Sequence, residues 1–149
     1  MKTLKKYLEE NEINNIVVAS KGGKTAIELA EELGKETNIV TVSEFNYNEK
    51  TKKTMKKKKI NYIEEANLPI QDIREMRETL LMFDSGIKAA LEVANIAALN
   101  KMVEGKTAAV AGDGLNTILI VNTIHPEAEA ISDPLKQLKI EKILFSPLI

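Results

Sequence analysis

The chain has 149 residues and a formal net charge of -1, the length of one domain able to bury roughly 70% of its unfolded surface without a disulfide or metal staple. It has no cysteine and one histidine, which excludes a disulfide framework, a thiolate zinc site, an iron–sulfur cluster, a cysteine nucleophile and a multi-histidine metal centre. Aromatics are 4% and tryptophan is absent, which argues against a stacking platform for single-stranded nucleic acid.

In chain order, residues 3–12 have helical spacing, with Leu4, Tyr7 and Leu8 on one face and charges interrupting every apolar run. The N-terminus therefore does not read as a signal peptide, and no stretch approaches the roughly 18 apolar residues of a membrane span, so a cytoplasmic protein is expected. Asn14 and Asn15 break the pattern. Residues 16–19 form a continuous β-branched run suited to a strand buried on both faces. A glycine-rich turn, Ser20 to Thr25, leads into a helix over 25–33 that Gly34 stops, and residues 38–42 form a second buried strand. This strand–helix–strand unit has the length of a parallel crossover.

Residues 43–59 are polar and end in a lysine cluster, and 60–63 can form a third strand. Pro69 suits the first turn of a helix over about 69–82, and Asp84 or Ser85 caps an alanine-rich helix over 86–103 that Gly105 ends. Residues 107–111 and 117–121 are apolar runs joined by a short glycine-rich link, which reads as an antiparallel hairpin. A last strand, 140–145, follows a loop holding Pro126 and Pro134. There is no repeat and no linker, so one domain is expected, and the alternation of helices and strands predicts an α/β sandwich.

Two loops can carry chemistry. In the first, Ser20, Lys21, Gly22, Gly23, Lys24 and Thr25 combine glycines that admit a ligand to the backbone, hydroxyl donors, positive charge and the free N–H groups of a helix start. Together they describe a cradle for a phosphate or carboxylate, set against a tight strand-to-helix turn with solvated lysines. A nucleotide-binding P-loop is excluded, because it requires a glycine five positions before Gly23, where Val18 stands. The second loop, Gly112, Asp113, Gly114, Leu115 and Asn116, lies beyond a buried strand, where open α/β sheets bind ligands; by itself it reads first as a hairpin turn.

Residues 14–42, with their strand, glycine turn, helix and strand, resemble the α/β C-terminal domain of pyruvate kinase. In that domain such a loop cradles a phosphate of an allosteric sugar bisphosphate. The stretch from Gly112 to Val121 resembles the domain's last hairpin, whose loop closes over the effector. The chain is also similar to stand-alone archaeal proteins built on this domain, with their Val-Val-Ala-Ser-x-x-Gly-x-Thr-Ala opening and a final strand running into a proline, as Lys142 to Pro147 does here. The resemblance implies a three-layer α/β/α sandwich with a mixed, mostly parallel sheet of about five strands in the order 3-2-1-4-5, strand 5 antiparallel, and an extra C-terminal strand. It implies that Ser20, Gly22, Gly23, Lys24 and Thr25 hold a phosphate, flanked by Gly112, Gly114 and Asn116, and that the protein is a homo-oligomer. Flavin mononucleotide or another phosphorylated compound is a candidate occupant by resemblance. The catalytic barrel of pyruvate kinase is absent, so kinase activity is not implied. The second loop is shorter here, and the tryptophan and arginine of its counterpart are missing.

Other features have plainer readings. Lys50, Lys52, Lys53 and Lys56 to Lys59 could contact nucleic acid, but on a slightly acidic chain without interleaved aromatics they read as a solvated helix face or loop. His125 reads as a loop histidine. Asp72, Glu75 and Glu78 read as a helix surface rather than a cation site. Asp113 is the only carboxylate in either ligand loop, and no catalytic constellation is legible.

Overall fold

Ile16 and Val18 point to one side of the first strand and Val17 to the other, and all three are fully buried. A continuous apolar run does this when both faces of a sheet are covered. The computed structural model describes residues 2–111, 115–133 and 137–149. Its helices are α1 (Lys2–Glu10), α2 (Lys24–Leu33), α3 (Glu49–Lys57), α4 (Arg74–Phe83) and α5 (Ser85–Leu99). Its strands are β1 (Asn15–Ala19), β2 (Asn38–Val42), β3 (Asn61–Ile63), β4 (Lys106–Ala111), β5 (Thr117–Asn122) and β6 (Lys139–Phe145), with a 3₁₀ turn at Pro126–Ala130.

The six strands form one mixed sheet in the order β3-β2-β1-β4-β5-β6. β1 lies parallel to β2 and β4, with Val17 opposite Val40 and Ala109, and β2 lies parallel to β3. β5 runs antiparallel to β4 and β6. On one face, Ile16, Val18 and Ile118 pack with Leu4 and Leu8 of α1, Leu29 of α2 and Met55 of α3. On the other, Val17 and Val40 meet Val93, Ile96 and Ala97 of α5, while Leu119 and Val121 meet Leu91 and Ala94. The fold is therefore a three-layer α/β sandwich with the expected order of the first five strands. The C-terminal strand pairs within the chain, on β5. Among the described residues, no helix is long and apolar enough to cross a membrane.

Three elements differ from the sequence reading. The polar stretch 43–59 contains α3, capped by Asn48, whose side chain accepts from Thr51 N at 2.8 Å. Met55 is its one buried residue, so its apolar stripe is too narrow to show as a period. α4 starts at Arg74 rather than 69, because the amides of Ile70 and Gln71 donate instead to Glu92 Oε2 at 3.2 and 3.1 Å. α5 stops at Leu99 rather than 103: Lys101 takes φ 58° and Met102 N turns back to Ala97 O at 3.0 Å.

Candidate functional site

The chain leaves β1 for β2 and β3 on one side, then returns to β4 on the other side of β1. The strand order reverses between β1 and β4, and the space beyond their carboxyl ends is where open α/β sheets bind ligands. Val18 lies opposite Val110, so β1 and β4 end side by side, and the glycine turn follows Ala19 at that end. Gly112, Asp113 and Gly114 lie outside the described residues. Asn116 is exposed at this same end, next to Thr117.

The turn is tied down at Ser20 and Gly23. Ser20 N donates to Val42 O at 3.3 Å, and Ser20 Oγ accepts from Gly23 N at 3.0 Å. Ser20 O accepts the Tyr47 hydroxyl at 2.7 Å. That uses the single proton of the phenol, so Thr41 Oγ1, 2.9 Å away, donates to Tyr47. Burial pushes the Tyr47 pKa up, the Thr41 hydrogen bond pulls it down less, and the Glu64 charge adds to the rise. Gly23 takes φ +82°, and a methyl group there would collide with the end of Met55 and stand 2.9 Å from Thr51 Cγ2. α3 thus backs the turn, and only glycine fits. Gly22 differs: a methyl group there meets nothing within 4 Å, and the residue is exposed. Its backbone faces open space.

α2 begins at Lys24 with Gly23 as its cap, and no side chain satisfies its first turn. Lys24 is exposed, Thr25 is half-buried, and Lys21 Nζ lies 5.8 Å from the Phe45 ring centroid. α5 starts at the same end of the sheet but is closed. Asp84 Oδ2 accepts from Gly86 N at 2.9 Å and Ile87 N at 3.3 Å, and Thr117 Oγ1 sits 3.4 Å from the same oxygen. An anion at these strand ends therefore meets α2 open and α5 already filled by a carboxylate.

Two carboxylates beside the turn escaped the sequence reading. A cavity of about 170 Å³ on the α5 side of the turn is bordered by Ser20, Lys21, Ser43, Glu44 and Glu92. Glu92 is 1% exposed, with Oε1 on Lys88 Nζ at 2.7 Å and Oε2 on the two loop amides. Both of its oxygens are engaged, and through them it fastens the 64–73 loop to α5. The spacing of Lys88 and Glu92 four apart in an otherwise apolar helix was the available signal.

The remaining candidates stand elsewhere. His125 Nδ1 accepts from Glu127 N at 3.0 Å and caps the 3₁₀ turn, beyond the far end of β5. Glu78 pairs with Arg74 at 3.5 Å, and no group of three potential metal ligands occurs among the described residues. In the lysine cluster, Lys52 lies 2.7 Å from Glu64 and 3.6 Å from Glu49, and Lys58 lies 3.4 Å from Glu31. The Glu64 hydrogen bond raises the Lys52 pKa. No protein-family model matches the chain, and no curated protein matches it.

Proposed function

We propose that this is a cytoplasmic binding domain for a phosphorylated small molecule, held at the turn from Ser20 to Thr25, and related to the C-terminal domain of pyruvate kinase. The observation that carries the reading is the uncapped first turn of α2, opening at the switch point of the sheet while the neighbouring α5 is filled by Asp84. Backbone N–H groups of α2 and the helix dipole supply the main attraction, with Thr25 and Lys24 as side-chain donors. The exposed backbone at Gly22 leaves room for close approach. Glu44 on the cavity rim repels an anion, so the phosphate sits on the α2 side of the turn and the rest of the ligand extends toward Asn116. The order of the first five strands is the one that the resemblance implies. Flavin mononucleotide is one candidate, and a bound flavin would make an enzyme of the same pocket.

A thermal-shift screen of flavin mononucleotide, sugar bisphosphates and nucleotides tests the reading. A ligand at a hundred times its dissociation constant adds about 2.7 kcal/mol, a rise of roughly 5–10 °C at this size. The rise is expected to vanish in Thr25→Val and Lys24→Ala. No rise with any compound would leave the turn structural.

Self-association is the second reading. It is favoured by the consecutive exposed side chains Leu81, Met82 and Phe83 at the end of α4, of which Met82 is 84% exposed.

A further inference from the structure

At the opposite end of the sheet lies a larger cavity of about 410 Å³, within the size range of small-molecule sites. It opens between the end of α5, the α5–β4 connection and the segment after β5. Asn95 of α5 borders it and is only 5% exposed. Among the described residues, every other buried polar side chain has a hydrogen-bond partner: Thr41 has Tyr47, Ser43 has Phe45 N, Lys88 and Glu92 have each other, Thr107 has Gly105 O, Thr117 has Asp84 and Ser146 has Leu148 N. Asn95 has none. Among the described residues no sealed side-chain nitrogen or oxygen lacks a partner, so the small part of Asn95 open to solvent includes its amide, which the protein leaves free to pair with whatever occupies the cavity. We infer that this cavity is a second binding site, for a small neutral molecule with an apolar body and a carboxamide- or lactam-type group that pairs with the Asn95 amide.

The donors and acceptors around the cavity define that class. Asn95 offers both N–H and C=O. Thr123 Oγ1 accepts from Gly105 N at 2.8 Å, so its own proton is left to donate. Gln137 Nε2 donates to Ile131 O at 2.7 Å, so its oxygen is left to accept. A ligand with adjacent donor and acceptor satisfies all of these, whereas a carboxylate leaves the acceptors facing like charge. The exposed rim carries Lys101 and Glu104, charges of opposite sign that give the mouth no net field for an ion. Leu99 and Ile124, 42% and 61% exposed, form an apolar wall for the body of the ligand. The site is independent of the glycine turn, which stands beyond the other ends of the same strands.

Benzamide and benzoate are matched probes for the test, read by heteronuclear NMR of the full chain, including side-chain amides. Benzamide is expected to shift the Asn95 side-chain signals and the backbone of residues 98–104 and 123–124 in a saturable way. Benzoate is expected to bind at least about tenfold more weakly, the loss for an ill-matched hydrogen-bond pair. Asn95→Leu, nearly equal in size, is expected to abolish the benzamide shifts and leave the remaining spectrum in place. Equal binding of the acid, shifts centred elsewhere, shifts that survive Asn95→Leu, or no saturable response would each overturn the inference. Should Asn95→Leu fail to fold, the amide and acid compared on the unaltered chain decide the question alone.

Discussion

Gly22 and Gly23 are neighbours with opposite duties. Gly23 combines a left-handed backbone with contact against α3, so Gly23→Ala is strained in conformation and blocked in space. It is expected to lose about 2–4 kcal/mol in urea denaturation. Gly22→Ala puts a methyl group into open space and is expected to stay within about 0.5 kcal/mol of the unaltered chain. Equal losses in both would mean that α3 does not back the turn. Tyr47, which locks Ser20 O and Thr41 together, adds a pH dependence. Its pKa is raised in the fold, so the unfolded chain releases the phenol proton first as pH rises. Its share of stability is therefore complete below the ordinary tyrosine value of about 10 and falls away as pH climbs through the raised folded value. Tyr47→Phe is expected to be less stable at neutral pH, having lost both hydrogen bonds, and to show a flatter decline above about pH 10. An equally steep alkaline decline in Tyr47→Phe would assign the effect to other groups.

Among the elements, the strands were legible because their signal is local. The apolar runs of β1, β2, β4 and β5 each lie within two residues of the observed bounds, since a strand covered on both faces must be apolar at every position. α3 was hidden because Met55 alone anchors it, and the start of α4 was hidden because it depends on Glu92, twenty-odd residues away, taking the amides of Ile70 and Gln71. The same holds at the candidate site. The glycine turn and the Asp84 cap are visible in sequence, whereas the packing of Met55 and Thr51 against Gly23 exists only after α3 has folded. Glu92 also carries the prediction at this scale. Glu92→Gln leaves the Lys88 ammonium, whose side chain is 10% exposed, beside a neutral amide. Breaking such a pair is expected to destabilise by about 3–5 kcal/mol. Hydrogen exchange is expected to rise first in the 64–73 loop, which Glu92 fastens. Loss spread evenly over the sheet, with the loop still protected, would show that the loop is held by Ile70 and its apolar contacts alone.

For the whole molecule, the proposed self-association needs a surface able to meet a second copy. The sheet ends in β6, and an open edge is the usual route to strand pairing between chains. This edge is poorly suited to it. The pairing of β6 with β5 skips Leu144 and Glu141, so the strand carries two irregularities, and Lys139, Glu141 and Lys142 place charges along it. The end of α4 has none of these protections. Leu81, Met82 and Phe83 are exposed in succession, the last 57% exposed, and α4 has no fully buried residue. Association through α4 therefore places apolar surface against apolar surface and leaves the sheet edge in water. Light scattering of the purified chain is expected to give more than the mass of one chain, and Met82→Lys combined with Phe83→Lys is expected to reduce it to one. Lys142→Leu, which removes a charge from the edge, is expected to leave the mass unchanged. A single-chain mass for the unaltered protein would remove the self-association reading. A change in mass only with Lys142→Leu would move the contact to β6.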